Sequence, residues 1–284
     1  MDRATALAPV PRVATAPLFA GLHGELMALL RGLPRADWER PTTATAWTVR
    51  DVAAHMLDVD IRRLSAHRDG HAPPPPAGAL ASYRDLVGYL DQLNATWVAA
   101  ARRIGPPVLV DLLAVTGAQV AAFVTGLDPD GPALYPVSWA GEETSANWLD
   151  VGREFTERWH HQQQIREAVG APGLVEPRWL RPVLEVSMRA LPHAYRDVPG
   201  ADGVAVTIAV GGAAGGTWTL VRDGGAWRLR TGAAAAAVAR VRLSEDTAWR
   251  LFFGMPMPDP RARLAIEGDE AVGAVVLRAI AIMA

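Results

Sequence analysis

The stretch of this chain with chemistry in it is Arg153-Glu-Phe-Thr-Glu-Arg-Trp-His-His-Gln-Gln-Gln-Ile-Arg166. On a helix, Asp150, Glu154, Glu157, His161 and Gln164 share one stripe, and Trp148, Val151, Phe155 and Trp159 share an adjacent apolar side. Glu157 and His161 are i, i+4, so a carboxylate and an imidazole stand one above the other and can close on one divalent ion. His160 points about 100° away round the helix and is the poorer member of the doublet. A third ligand must come from another element. His55 is the candidate, because it shares a helix face with the apolar Val52, Met56 and Val59. Two His and one Glu on facing helices leave positions open for water or substrate, as catalytic metal sites do. Each part also has a plainer reading. His55 alone is a hydrogen-bonded core histidine, and Glu157–His161 alone is a weakly stabilising surface ion pair.

What the chain lacks narrows the chemistry further. Its 284 residues contain no cysteine, and all 28 basic side chains are arginine. Disulfides, Fe–S clusters, Cys-ligated zinc, a cysteine nucleophile, Schiff-base lysines and a P-loop lysine are therefore excluded. There is no G-x-S-x-G elbow, and Gly211-Gly212 with Gly215-Gly216 makes no dinucleotide fingerprint. Hydrophobic residues make up 50%, charged residues 20%, and the net charge is −2, a globular balance with no call for a nucleic-acid partner. No uninterrupted apolar run reaches the roughly 18–20 residues of a membrane span. The N-terminus lacks a secretory apolar segment. The expectation is a cytoplasmic protein that acts on a small molecule, with no membrane partner.

Positioning these residues falls to a helical first part. Leu18, Leu22, Leu26, Leu29 and Leu30 mark one helix, ended by Gly32-Leu33-Pro34. Thr48-Val49-Arg50-Asp51 predicts a capping box opening a second helix that runs to about His67. Gly70–Gly78, with Pro73 to Pro76 consecutive, predicts an extended loop. A third helix carries Leu80, Tyr83, Val87, Leu90 and Trp97, a shorter one spans 109–125, and Thr144 or Ser145 caps a long helix ending at Gly170. Four main helices imply a bundle. Beyond a connecting helix at 179–195 the pattern shortens into strands at 204–210, 217–221, 227–230 and 238–243, with Asp223-Gly224-Gly225 as a hairpin turn. Ser244 caps a helix to Gly254, 261–267 is another strand, and a last helix starts at Glu270. The expected class is α+β in two domains: a bundle over 1–172, a connecting helix over 173–200, and a small α+β domain over 201–284. His67, His71 and His193 read as loop or exposed residues. Arg222, Arg240, Arg242 and Arg263 of the second domain read as solvated strand faces, and one of them facing the bundle, with Arg240 and Arg263 singled out, is a candidate to bind a substrate carboxylate.

Trp38-x2-Pro41-Thr42 followed by Trp47-Thr48-Val49-Arg50-Asp51-Val52-x2-His55, together with Glu157-Arg-Trp-His-His161, resembles the mycothiol-dependent maleylpyruvate isomerase-like family. That family belongs to the DinB-like superfamily of metal-binding four-helix bundles. The resemblance implies a DinB-like bundle followed by a sterol-carrier-like α+β domain, with His55, Glu157 and His161 as the metal ligands, the same three the spacing picks out. It also implies a divalent cofactor, Zn2+ by ligand type, and mycothiol as a thiol cosubstrate. In such an enzyme the thiol adds to a conjugated cis double bond, the bond rotates, and the thiol leaves; the metal lowers the thiol's pKa. Cis–trans isomerisation or thiol transfer on a small electrophile follows, with a hydrolase using the same ligands, or a non-catalytic binding bundle, as the alternatives. Relatives commonly carry aspartate three residues after the last ligand. Here Gln164 stands there, so Gln164 and Glu154 are candidates to support the ligands or touch substrate.

Overall fold

In a computed structural model, residues 7–282 are described except 45, 72, 73, 75, 77 and 79. Pro73 and Pro75 of the expected extended loop thus lie outside the described residues. The fold is α+β, with a helical N-terminal region and a mixed six-stranded sheet toward the C-terminus. Two compact units divide the chain. One holds 15–134 and 146–174; the other holds the described parts of 1–14, 135–145 and 175–283.

The helical unit starts with α1 (Phe19–Gly32), which buries Phe19, Leu22, Leu26, Met27 and Leu30. Next, α2 (Val49–Arg62) opens at the expected capping box. The Thr48 hydroxyl accepts from the Asp51 N–H, and the Asp51 carboxylate accepts from the Thr48 N–H. That exchange satisfies two of the orphan donors at the helix start. The α-helix stops at Arg62, earlier than expected, and continues to Arg68 as a π-helical turn. α3 (Tyr83–Ala101) packs on α2, burying only Val98 and Ala101 and tying down Trp97, whose Nε1–H donates to the Ala54 carbonyl at 2.7 Å. α4 (Pro106–Thr125) and α5 (Asn147–Val169) complete the unit. Helix α2 packs against α3, α4 and α5, and α1 packs against α4 and α5. Leu26, Leu30, Val49, Val52, Leu57, Leu109, Leu113 and Ile165 form the shared core. Each such side chain contributes about 1.5–3 kcal/mol by leaving water.

Two expectations need correction here. α4 has 20 residues, and an 18-residue window of it reaches a mean hydropathy of 1.9, long and apolar enough to cross a membrane by length and composition. A search for uninterrupted apolar runs misses it because Asp111 breaks the run, although it barely lowers the average. In this chain its Leu109, Leu113, Val120 and Val124 are buried. Ser145 does not cap α5 either. The residue at the cap position is Ala146, with no side-chain bond, while the Ser145 hydroxyl accepts from the Val137 N–H and donates to Glu142.

The second unit is built on a sheet of order β1-β4-β3-β2-β5-β6. Its strands are β1 (Ala8–Pro9), β2 (Ala205–Gly211), β3 (Gly216–Asp223), β4 (Ala226–Thr231), β5 (Ala239–Ser244) and β6 (Ala265–Gly268). All neighbours are antiparallel except β2 and β5. The β3–β4 hairpin turns on Gly224 and Gly225, at φ +59° and +76°, the backbone that a two-residue primed turn demands and that only glycine adopts without strain. Helices α6 (Pro177–Ser187), α7 (Leu191–Ala194), α8 (Glu245–Phe252) and α9 (Glu270–Ala274) accompany the sheet. Ser244 caps α8 as expected, its hydroxyl accepting from the Thr247 N–H. The strand expected over 261–267 is a 3-10 turn at Arg261–Arg263 followed by β6.

Candidate functional site

Two helices of the first unit supply the predicted ligands. On α2, His55 is 7% exposed; on α5, His161 is 8% exposed, and their rings meet edge to face with centroids 4.8 Å apart. Glu157 lies one turn before His161, its Oε2 3.7 Å from His161 Nε2. The neighbouring His160 is also buried, its ring centroid 5.4 Å from that of His161. So the structure brings His55 to His161 and His161 to Glu157. Among the described residues, no group of three or more His, Asp or Glu side chains is arranged to hold a metal ion as it stands.

The loop before α2 explains why His55 is held still. Thr42 donates twice to the Trp47 carbonyl, from its N–H at 3.0 Å and its hydroxyl at 2.9 Å, and the Val49 N–H donates to Arg40. This clip lays the Trp47 ring against His55 with centroids 5.0 Å apart. The tryptophan and threonine of the sequence motif are thus structural supports of the imidazole. Burial, then the neighbouring His161 and Arg62, push the His55 pKa well below its ordinary value. Burial also lowers His161, against the opposing pull of Gln164 and Glu154. Both rings are therefore neutral near pH 7, with lone pairs available to a metal.

Hydrogen bonding bears on whether a metal fits. His161 Nδ1 lies 2.9 Å from Gln164 Oε1, which leaves Nε2 on the side of Glu157. His55 Nδ1 is buried with no hydrogen-bond partner among the described residues. Buried polar atoms are nearly always paired, and leaving one unpaired costs about 1–3 kcal/mol, so this nitrogen asks for an explanation. Two neutral imidazoles and a carboxylate are a zinc donor set. By donor chemistry the residues fit such an ion.

Below the histidines runs a charged network that the sequence does not announce. Asp60 of α2 is fully buried and accepts from Arg158 Nη2 at 2.5 Å and from the Thr116 hydroxyl of α4 at 2.7 Å. Arg158 also donates to Glu154 at 3.0 Å. Glu154 is therefore held by an arginine of its own helix; burial would raise its pKa, but Arg158, Arg63 and Arg153 outweigh that and lower it. Arg63 Nη1 donates to Asp150 at 2.6 Å and lies 3.0 Å from His67 Nδ1. Since a guanidinium only donates, His67 accepts there as a neutral ring, its pKa lowered to about 4 by burial and then by Arg63. His67 is half-buried on the π-helical turn, not a loop residue, and His193 is half-buried against Gly141. Only the acids of one helix, set against the arginines of the other, could have signalled this network.

The two arginines singled out in the second unit are held by its own backbone. Arg240 donates to the Ala235 carbonyl at 3.0 Å, and the exposed Arg263 to that of Pro258 at 3.4 Å.

Comparison with known proteins adds three findings. The sequence profile of a family described as the mycothiol maleylpyruvate isomerase N-terminal domain matches residues 19–166, more than half of the chain. Two uncharacterized proteins of Mycobacterium tuberculosis, from strains CDC 1551 / Oshkosh and H37Rv, are each 29% identical over 184 residues; the match spans 63% of this chain and 66% of theirs. A crystal structure of a histidine-to-alanine mutant of the mycothiol-dependent maleylpyruvate isomerase superposes with a TM-score of 0.51 at 14% identity. It covers 85% of this chain and 88% of that one, a likeness of fold.

Proposed function

Because the chain belongs to the mycothiol maleylpyruvate isomerase N-terminal domain family, we propose that it is an enzyme using a low-molecular-weight thiol, mycothiol, on a small electrophile. The reaction is a cis–trans isomerisation or a thiol transfer. The observation that carries this reading is the meeting of His55 and His161, ring to ring at 4.8 Å, beside Glu157 in the buried seam of α2 and α5. His55, Glu157 and His161 would hold one divalent ion, Zn2+ by donor type. When bound, that ion supplies a Lewis acid that lowers the pKa of a thiol toward neutrality.

Everything else is the work of the chain's own residues. Burial keeps both imidazoles neutral, so that one nitrogen of each ring carries the proton and the other offers a lone pair. Trp47 fixes the His55 ring, and Gln164 engages the far nitrogen of His161. A buried setting limits water, which would otherwise compete with the thiol for the electrophile. Having no cysteine, the chain must take its sulfur nucleophile from solution. The site of action is taken to be the cytoplasm.

The test has two stages. Elemental analysis should find one divalent ion per chain; His55→Ala should abolish it and His160→Ala should keep it. Full metal content in the His55→Ala protein would sink the ligand assignment. In a melting assay, mycothiol should raise the midpoint of metal-loaded protein by mass action and leave metal-free protein unmoved. An equal response of both forms, or none at millimolar thiol, would move the assignment to a hydrolase that activates water with the same ligands. Absence of metal altogether would leave a non-catalytic bundle.

A further inference from the structure

We infer that Gln164 is a positioning residue that fixes the tautomer of His161, so that Nε2 is presented to the seam as a bare lone pair. The hydrogen bond itself rests on geometry alone; its consequence for metal affinity rests on the reading proposed above. Gln164 follows His161 by three residues on α5, both side chains are buried, and Oε1 lies 2.9 Å from Nδ1. An amide oxygen can only accept, so Nδ1 must carry the ring proton. In a neutral imidazole the other nitrogen, Nε2, then has none. That nitrogen faces Glu157 Oε2 at 3.7 Å, beyond hydrogen-bond length. Two acceptors facing one another with no proton between them repel, and a cation is what turns the pair into a favourable arrangement. The partner at position 164 thus decides whether this face of His161 offers a ligand or a proton.

A neutral amide in this role also differs from a carboxylate. Carboxylate partners add charge and basicity to a liganding ring, whereas an amide directs the tautomer without adding charge. Glu157 is then the sole carboxylate among the three proposed ligands and Gln164. Reversal of the Gln164 amide would place its NH2 against Nδ1 and impose the opposite tautomer, so the inference has a definite alternative.

Nitrogen-15 NMR of metal-free protein with labelled histidine separates the two, with the His161 signals identified by their loss in His161→Asn. Wild type should show a protonated Nδ1 and an unprotonated Nε2. Gln164→Glu keeps an acceptor and should retain that signature; Gln164→Leu should lose it. Zinc titration should then find about 10–100-fold weaker affinity for Gln164→Leu, with near-recovery in Gln164→Glu. A protonated Nε2 in wild type, or an unchanged tautomer in Gln164→Leu, overturns the inference. Wild-type protein with the expected tautomer but no zinc affinity would support the positioning role and refute the metal reading instead.

Discussion

Asp60 of α2 is the buried acid that holds Arg158 of α5. Its carboxylate is wholly buried and divides its oxygens, Oδ1 taking Arg158 and Oδ2 taking Thr116. In Asp60→Ala both acceptors vanish. Thr116 loses little, because its hydroxyl proton can turn to the Leu112 carbonyl, 3.1 Å away. Arg158, only 8% exposed, keeps Glu154 from its own helix and the face of the Phe19 ring 5.7 Å away, and loses its acid from α2. Removing one partner of a buried pair costs about 3–5 kcal/mol, most of it the penalty of stranding the other charge. The retained bond to Glu154 places the expectation at the low end, about 3 kcal/mol. For a protein of this size that is a fall in Tm of roughly 6–12 °C. Calorimetry, with near-UV circular dichroism to follow the bundle tryptophans, measures it. The double variant Asp60→Ala/Arg158→Met removes the stranded charge as well and should recover at least half of the loss, a coupling read directly from the cycle. A single variant within about 1 kcal/mol of wild type, with a double variant no better, would refute the idea that Arg158 relies on Asp60.

Two further outcomes are expected. His67 has a folded pKa of about 4 against 6.5 for the unfolded chain, so between those values the unfolded state binds more protons and stability falls as pH is lowered. Each unit of pH costs at most about 1.4 kcal/mol from this group, less for a half-exposed ring. His67→Gln still accepts from Arg63, and its stability relative to wild type should rise as pH drops from 6.5 to 4; a difference independent of pH in denaturant titrations would exclude the assignment. A Cβ added at Gly117 would lie 2.2 Å from Cε1 of the His23 ring, whereas one at Gly88 meets nothing within 4 Å. Gly117→Ala should therefore cost about 1–3 kcal/mol and Gly88→Ala, in an exposed helix, gain about 0.5–1 kcal/mol; equal effects on Tm would contradict the packing described.

Local signals in the sequence account for much of the fold. The Thr48 capping box, the Gly224-Gly225 turn and the Ser244 cap are interactions within three residues, and the structure has all of them. Pairing at long range was not legible. β1 is two residues whose only reason to be a strand is its partner at Arg230 and Thr231. Ser145 also reads as a cap, although its hydroxyl is taken by Glu142 and Val137, three and eight residues earlier, in a turn that the helix pattern does not show. At the candidate site, the i, i+4 stripe led to Glu157 and His161, and the apolar face of α2 led to His55. Asp60, Arg63 and Arg158 stayed hidden because a charged residue reads as solvated until its partner on another helix is known. Trp47 was visible as part of a motif, but its contact with His55 depends on a loop folding back.

α5 has sixteen of its 23 residues buried, although many of them are polar. Its glutamines and arginines find partners far along the chain: Gln162 with the Leu22 carbonyl 140 residues away, Arg158 with Asp60 98 away, and Asp150 with Arg63 87 away. With those segments absent, α5 keeps the bonds within itself, Arg158 to Glu154 and His161 to Gln164, but Gln162 loses the Leu22 carbonyl and Arg158 loses Asp60. Closing loops of that length before any reward arrives slows folding. The amide hydrogens in the middle of α5 are therefore expected to exchange at a rate close to that of global unfolding of the bundle. α3, with two buried residues, can come away and return many times in that interval.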